Sequence, residues 1–325
     1  MPAPSFWFNA PDRPGLRARL LSPLGWLYGA ATAARVRKAG FKADVPVICI
    51  GNINVGGTGK TPTAIFLAQY LIANGHTPHI VSRGYGGSLT GPTQVNERVH
   101  KADQVGDEPL LLSAFCPTWI AKDRAAGAKA AQGAGASIIL LDDGFQNPSV
   151  EKDLNIVVVD ATRGFGNERV LPAGPLRETV DAGLKRADLV LKIGDSDKPL
   201  NTSDVPQITG RLAPLPTGMP WQGMPVLAFA GIGNPEKFFA TLRAMGAVVI
   251  HGEALEDHQP LTPQLMLRLE TEATLKGAQL VTTEKDAVRL PDNFRPKVLT
   301  VPVRLEIDQP EVLNTALLNA GIEPK

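Results

Sequence analysis

Three glycines, a lysine and two threonine hydroxyls stand together in Gly56-Gly57-Thr58-Gly59-Lys60-Thr61. Such a run can hold phosphate. Glycines let backbone N–H groups turn inward around anionic oxygens, a lysine adds positive charge, and a hydroxyl can reach Mg²⁺. The binding stretch is read as Asn54-Val55-Gly56-Gly57-Thr58-Gly59-Lys60-Thr61, with Asn54 where the general pattern has its first glycine. Asn tolerates left-handed backbone better than most residues, so the loop can still form. The alternative is a glycine-rich turn without a ligand. Against it stand an apolar run before the loop, 45–50, and a helical pattern after it, the arrangement that points a helix N-terminus at an anion.

Carboxylates come next. Asp142-Asp143 ends the apolar run 137–141, and a metal bridging phosphates needs a hard anionic oxygen there, which Asp142 can supply. An acidic pair capping the following element is the plainer reading. Asp107 precedes an apolar stretch and suits either a helix cap or a general base toward an acceptor hydroxyl. Asp257-His258 suits either surface polarity or, if a second domain closes over the phosphates, proton sharing with a carboxylate. In Pro175-Leu176-Arg177-Glu178 a rigid turn presents a cation that could stabilise a transferring phosphoryl group and an anion that could help place Mg²⁺; a surface ion pair is the other possibility.

Something must position these groups. Apolar runs at 45–50, 79–81, 118–121, 137–141, 155–159 and 189–193 alternate with helical patterns, including Ala64, Leu67, Ala68 and Leu71, and an Ala-rich stretch 124–132. That alternation predicts an α/β fold, a doubly wound, mostly parallel sheet with its ligand site beyond the strands' C-terminal ends, and the phosphate loop after its first strand makes it P-loop NTPase-like. Prolines interrupt residues 196–225, after which α/β alternation resumes. The expected organisation is an N-terminal segment 1–40, a P-loop core 41–195, a crossing region 196–225 and a second, smaller α/β domain 226–325.

A net charge of +1 gives no basic field for nucleic acid, and none is expected as partner. Cys49 and Cys116 lack metal-ligand spacing, which fits a reduced compartment. Residues 20–34 carry no charge, hold Trp26 and Tyr28, and are flanked by Arg17, Arg19, Arg35, Arg37 and Lys38. The run is shorter than the ~20 residues a membrane span needs. It suits an interfacial helix at anionic lipid, or equally a helix packed on the protein's own core.

Together with Gly51-Asn52, Ser82-Arg83-Gly84-Tyr85, Gly106-Asp107-Glu108-Pro109, Asp142-Asp143-Gly144-Phe145-Gln146, Ala230-Gly231-Ile232-Gly233 and Thr283-Glu284-Lys285-Asp286, these motifs closely resemble the tetraacyldisaccharide 4'-kinase (lipid A 4'-kinase) family. The resemblance implies transfer of the ATP γ-phosphate to the 4'-hydroxyl of an acylated glucosamine disaccharide 1-phosphate, with Mg²⁺. The implied place is the cytoplasmic face of the bacterial inner membrane, peripherally bound at the membrane surface. It also implies roles: Asp107 as base with His258 as partner, Lys60 and Arg177 as charge stabilisers, Thr61, Asp142 and Glu178 as metal shell, and Asp143 in the active site. An acylated substrate gives the N-terminal helix a reason to dock on lipid. A nucleotide-dependent switch or partner-binding ATPase is the competing class, since it would share the loop and the acidic strand end without needing an acceptor.

Overall fold

The computed structural model of the chain describes residues 3–196, 199–202, 204–257 and 259–323. After a long helix α1 (Leu16–Val36), the chain lays down β1 (Val47–Gly51), α2 (Lys60–Ala73), β2 (Pro78–Ser82), β3 (Thr93–Gln94), α3 (Ala102–Val105), α4 (Asp107–Leu112) and β4 (Thr118–Ile120). It continues through α5 (Arg124–Gly133), β5 (Ile138–Asp142), β6 (Leu154–Asp160), α6 (Val180–Leu184), β7 (Leu189–Ile193) and β8 (Gln207–Pro214). A second lobe follows, formed by β9 (Pro225–Ala230), α7 (Pro235–Ala244), β10 (Val248–Ala254), α8 (Pro263–Leu275), β11 (Gln279–Thr283), α9 (Glu284–Ala287) and β12 (Val298–Val301). Last come β13 (Val303–Ile307) and α10 (Pro310–Asn319).

The large sheet has nine strands in the order β13-β8-β7-β6-β1-β5-β2-β4-β3. All its pairings are parallel except β13 with β8 and β3 with β4. Strands β1, β2 and β5 are buried along their whole length, as expected of strands covered on both faces, and for that reason β1 and β5 read as apolar runs rather than alternating ones. One core layer joins Ile48, Ile50, Leu67, Leu71 and Leu140 under α2; the other joins Val47, Cys49, Ile139, Leu141 and Phe145 on the opposite face. The chain passes from β1 to β2, returns to place β5 beside β1, and then adds β6 on the other side. That reversal opens a crevice above β1, the place where doubly wound sheets bind ligands.

The smaller sheet is wholly parallel, β10-β9-β11-β12, packed around Leu227, Phe229, Phe239 and Leu269. Two boundaries differ from the expected organisation. Within the proline-broken stretch 196–225, β8 is a full member of the large sheet, because its prolines fall at the ends of the strand and outside it. From the stretch 226–325, β13 and α10 return to the first lobe, where Leu305, Leu313 and Leu317 join its core.

Candidate active site

The phosphate loop takes the expected place between β1 and α2. Gly56 and Gly59 have φ of 108° and 99°, conformations that side-chain-bearing residues rarely adopt. A Cβ on Gly59 would also lie 2.7 Å from Ile193 Cδ1. Asn54 does not use left-handed backbone: among the described non-glycine residues only Asp143 and Glu168 have positive φ. Instead it bridges to Leu176 and donates from Nδ2 to the Gly164 carbonyl at 3.0 Å, so no glycine is required there. On either side of it the Val55 N–H donates to the Pro175 carbonyl and the Arg177 N–H to the Ile53 carbonyl, each at 2.8 Å. The turn carrying Arg177 and Glu178 is thereby zipped to the loop. Behind the glycines, Asn52 Nδ2 donates to Thr58 Oγ1 at 3.2 Å.

Lys60 and Thr61 open α2, half-buried, with Lys60 Nζ 3.6 Å from Asp143 Oδ1. Arg177 Nη1 reaches the same oxygen at 2.9 Å. Asp143 has φ of 50°, which turns the chain out of β5 and lets its carboxylate face these two cations. Burial works against its charge, but Lys60 and Arg177 outweigh burial and hold the carboxyl below the usual range.

Asp142 is fully enclosed at the end of β5, where Ser82 donates to its Oδ2 at 2.9 Å. Burial, then the charges of Glu108 and Asp143, push its carboxyl up to about 7, with Lys60 and the Ser82 hydroxyl pulling the other way. A buried carboxylate whose charge is disfavoured by burial and by two neighbouring carboxylates suits a hard divalent ion. Among the described residues no three His, Cys, Asp or Glu side chains cluster as a metal site, so such an ion would also need phosphate oxygens and water, the habit of Mg²⁺.

Asp107 is not a helix cap. Gly106 occupies that position, with φ of 90°, and Asp107 is the first residue of α4, buried, with Oδ1 accepting its neighbour's N–H at 2.9 Å. Its Oδ2 lies 3.6 Å from Arg289 Nε, a cation contributed by the second lobe. Beside it, Lys285 of α9 bridges Glu108 at 3.1 Å and Asp257 at 3.2 Å. Burial alone would lower the Lys285 ammonium; Glu108, Asp107 and Asp257 overcome it and raise the pKa above the ordinary lysine value. Asp257 is thus drawn toward the Asp107 helix, while His258 lies outside the described residues.

Glu178, expected in the metal shell, has other partners. Its side chain is 4% exposed, and both its oxygens are 2.6 Å from Arg186 Nη2. Sequence reading singled out neither Arg186 nor Arg289. The contacts of Arg186 with Phe145 and of Arg289 with Asp107 cross many residues of chain, and local spacing carries no signal for them. Gln146 and Lys285 stood inside quoted motifs without an assigned role.

Comparison with known proteins decides what this arrangement belongs to. A family model described as tetraacyldisaccharide-1-P 4'-kinase (LpxK) matches residues 17–321. The chain belongs to that family. A tetraacyldisaccharide 4'-kinase from Jannaschia sp. (strain CCS1) is 59% identical over 325 residues, covering 98% of each chain. One from Dinoroseobacter shibae is 57% identical, covering 98% of this chain and 97% of the relative. A crystal structure of Aquifex aeolicus LpxK in complex with ATP superposes with a TM-score of 0.75 at 25% identity, over 94% of this chain and 99% of that one. The α/β fold expected from strand-helix alternation and the family resemblance are both borne out.

Proposed function

We infer that this protein is an ATP-dependent kinase that transfers the γ-phosphate to the 4'-hydroxyl of a tetraacyldisaccharide 1-phosphate, in lipid A biosynthesis. Family membership over nearly the whole chain carries the reading, and the closure of Lys60, Arg177, Asp142, Asp143 and Asp107 around one crevice supports it.

The chemistry divides between two faces of the crevice. Backbone N–H groups of 56–61 and the N-terminus of α2 hold the phosphates of ATP, the Val55 N–H being taken by the Pro175 carbonyl. Lys60 and Arg177, kept in place by Asp143, offset the charge that develops on the transferring group. Thr61 and Asp142 would hold Mg²⁺, which supplies further charge neutralisation on the phosphate oxygens when bound. Asp107 accepts the proton of the 4'-hydroxyl as its oxygen attacks phosphorus, with His258 as the group that shares that proton.

An acylated substrate keeps its chains in a bilayer, and α1 has the surface to meet one. Leu16, Leu20, Leu24 and Leu27 recur at helical spacing and are exposed, as are Trp26 and Tyr28, whereas the buried positions are Ala18, Gly25 and Thr32. The helix thus turns its small residues inward. A Cβ on Gly25 would lie 2.7 Å from the Val170 carbonyl oxygen, which is how closely that face packs. Exposed Arg17, Arg19, Arg35, Arg37 and Lys38 flank the apolar stripe, a pattern suited to an anionic membrane surface. No described helix is long and apolar enough to cross a membrane, and peripheral docking at the cytoplasmic face of the inner membrane is the localisation that fits this surface.

Incubation with ATP, Mg²⁺ and the acylated disaccharide 1-phosphate tests the assignment. Phosphate appearing on the sugar is the expected result; ATP hydrolysis with no phosphorylated lipid would favour the switch ATPase instead.

A further inference from the structure

Arg186 lies just past α6 and has no place in the chemistry described so far. Its surroundings are unusual for a residue that sequence alone would leave on the surface. Nη2 sits 2.6 Å from both Glu178 oxygens, Nη1 donates to the Phe145 carbonyl at 3.0 Å, and the guanidinium stacks 4.3 Å over the Phe145 ring. Phe145 is itself immobile, since it is fully buried and so close to β1 that a Cβ on Gly51 would lie 2.4 Å from its own. One end of Arg186 is therefore anchored to the strand that leads into the phosphate loop.

From Glu178 the contacts run toward the reacting groups. Gln146 Nε2 donates to Glu178 Oε1 at 2.9 Å and to the Asn52 carbonyl at 2.8 Å, which fixes the orientation of its amide. Its Oε1 then faces Arg177 and accepts from Nη1 at 3.2 Å, while the same Nη1 donates to Asp143 at 2.9 Å. Each member of this chain has its direction set by the one before it. A carboxylate buried as deeply as Glu178 needs a cation, and a planar guanidinium satisfies both of its oxygens.

We propose that Arg186 is a positioning residue for phosphoryl transfer: through Glu178 and Gln146 it sets where the Arg177 guanidinium stands relative to the phosphate loop. In this arrangement Glu178 is a link in the chain and not a metal ligand. The inference rests on the reading of Arg177 as a charge stabiliser, and the experiment separates the two.

Steady-state kinetics of Arg177→Ala, Arg186→Gln, Arg186→Lys, Gln146→Ala and the Arg177→Ala/Arg186→Gln double variant provide the test, with Glu178→Gln titrated against Mg²⁺. Misplacing a charge stabiliser costs on the order of 10²-fold. Arg186→Gln should therefore lower kcat by roughly that factor, with KM for ATP changed less than about threefold and the Mg²⁺ half-saturation unmoved. Lysine keeps the charge but cannot hold Glu178 and the Phe145 carbonyl with two separate nitrogens, so Arg186→Lys should recover only part of the loss. The double variant should be no slower than Arg177→Ala alone. If Arg186→Gln does not fold, Gln146→Ala cuts the same chain while leaving the buried ion pair intact, and should show the same kcat loss. Additive losses in the double variant, or a Mg²⁺ requirement raised about tenfold or more by Glu178→Gln, would overturn the proposal. Near-normal kcat in Arg177→Ala would instead refute the role given to Arg177 itself.

Discussion

Two buried aspartates carry opposite demands. Asp142 has its carboxyl raised to about 7 by burial and by Glu108 and Asp143, whereas unfolded Asp titrates near ~3.9. A raised carboxyl favours the folded state below the unfolded value, and that contribution is lost as pH climbs through the folded value. At neutral pH Asp142 therefore carries an ionisation cost that a bound cation would relieve. Below about 7 a metal held by Asp142, as proposed, would have to displace a proton, so the Mg²⁺ affinity of the ATP-bound enzyme should fall by up to about tenfold per pH unit. Calorimetry in buffers of different ionisation enthalpy should detect close to one proton released at pH ~6, and Asp142→Asn should abolish that release; pH-independent affinity would show that Asp142 does not face the metal. Asp107 presents a different case, because its burial beside Arg289 sets it apart from an ordinary cap. Asp107→Ala should reduce kcat by ~10² to ~10⁴-fold with little change in ATP binding. A shift in melting temperature alone, with kcat preserved, would return it to a structural role.

Among the elements, those that read most clearly from sequence are the ones whose signal is local. Strands β1, β5 and β6 are apolar runs ending in glycine or aspartate, and the loop before α2 is spelled out by its glycines and Lys60. Strand β8 was hidden by neighbouring prolines, and the return of β13 to the large sheet depends on pairing with a partner about ninety residues earlier, Val303 with Pro214, which no window of sequence contains. The same limit concealed Arg186 and Arg289. Helix α1 lies between these cases. Its apolar composition was plain, but whether Leu20 and Leu24 faced the core or the outside depended on where Gly25 would pack. Since those leucines face outward, replacing them with glutamate removes apolar area from the proposed docking face and would repel anionic lipid without touching the fold. Leu20→Glu/Leu24→Glu should bind vesicles of anionic phospholipid at least about tenfold more weakly, at ~25 cal/mol per Å² of lost apolar contact, with melting temperature preserved. Sedimentation of the variant with such vesicles at the parent's level would rule out this face as the docking surface.

At the scale of the whole molecule, the two lobes meet across the phosphate loop. The second lobe brings its Gly231-Ile232-Gly233 turn so close that a Cβ on Gly233 would lie 3.1 Å from the Gly57 nitrogen. Ion pairs lie on both sides of that contact: Lys237 with Asp160 at 2.5 Å, and Lys285 and Arg289 with Glu108 and Asp107 on α4. Lys285 matters most to closure, because it stands between Glu108 of the first lobe and Asp257 of the second, with its side chain only 17% exposed. Without its charge, the two lobes would present Glu108 and Asp257 to each other with no cation between them, and like charges repel. Lys285→Ala should therefore open the cleft and lower kcat/KM by up to about tenfold, since the carboxylates it pairs are partly exposed. Adding Glu108→Gln to Lys285→Ala removes one of the two repelling charges and should restore part of the loss, which simple destabilisation by a second substitution would not do. Small-angle scattering gives the structural counterpart: an increased radius of gyration for Lys285→Ala that shrinks again in the double variant. Kinetics and dimensions both unchanged in Lys285→Ala would mean that the lobes are held together by their packed surfaces and that this lysine has no part in closing them.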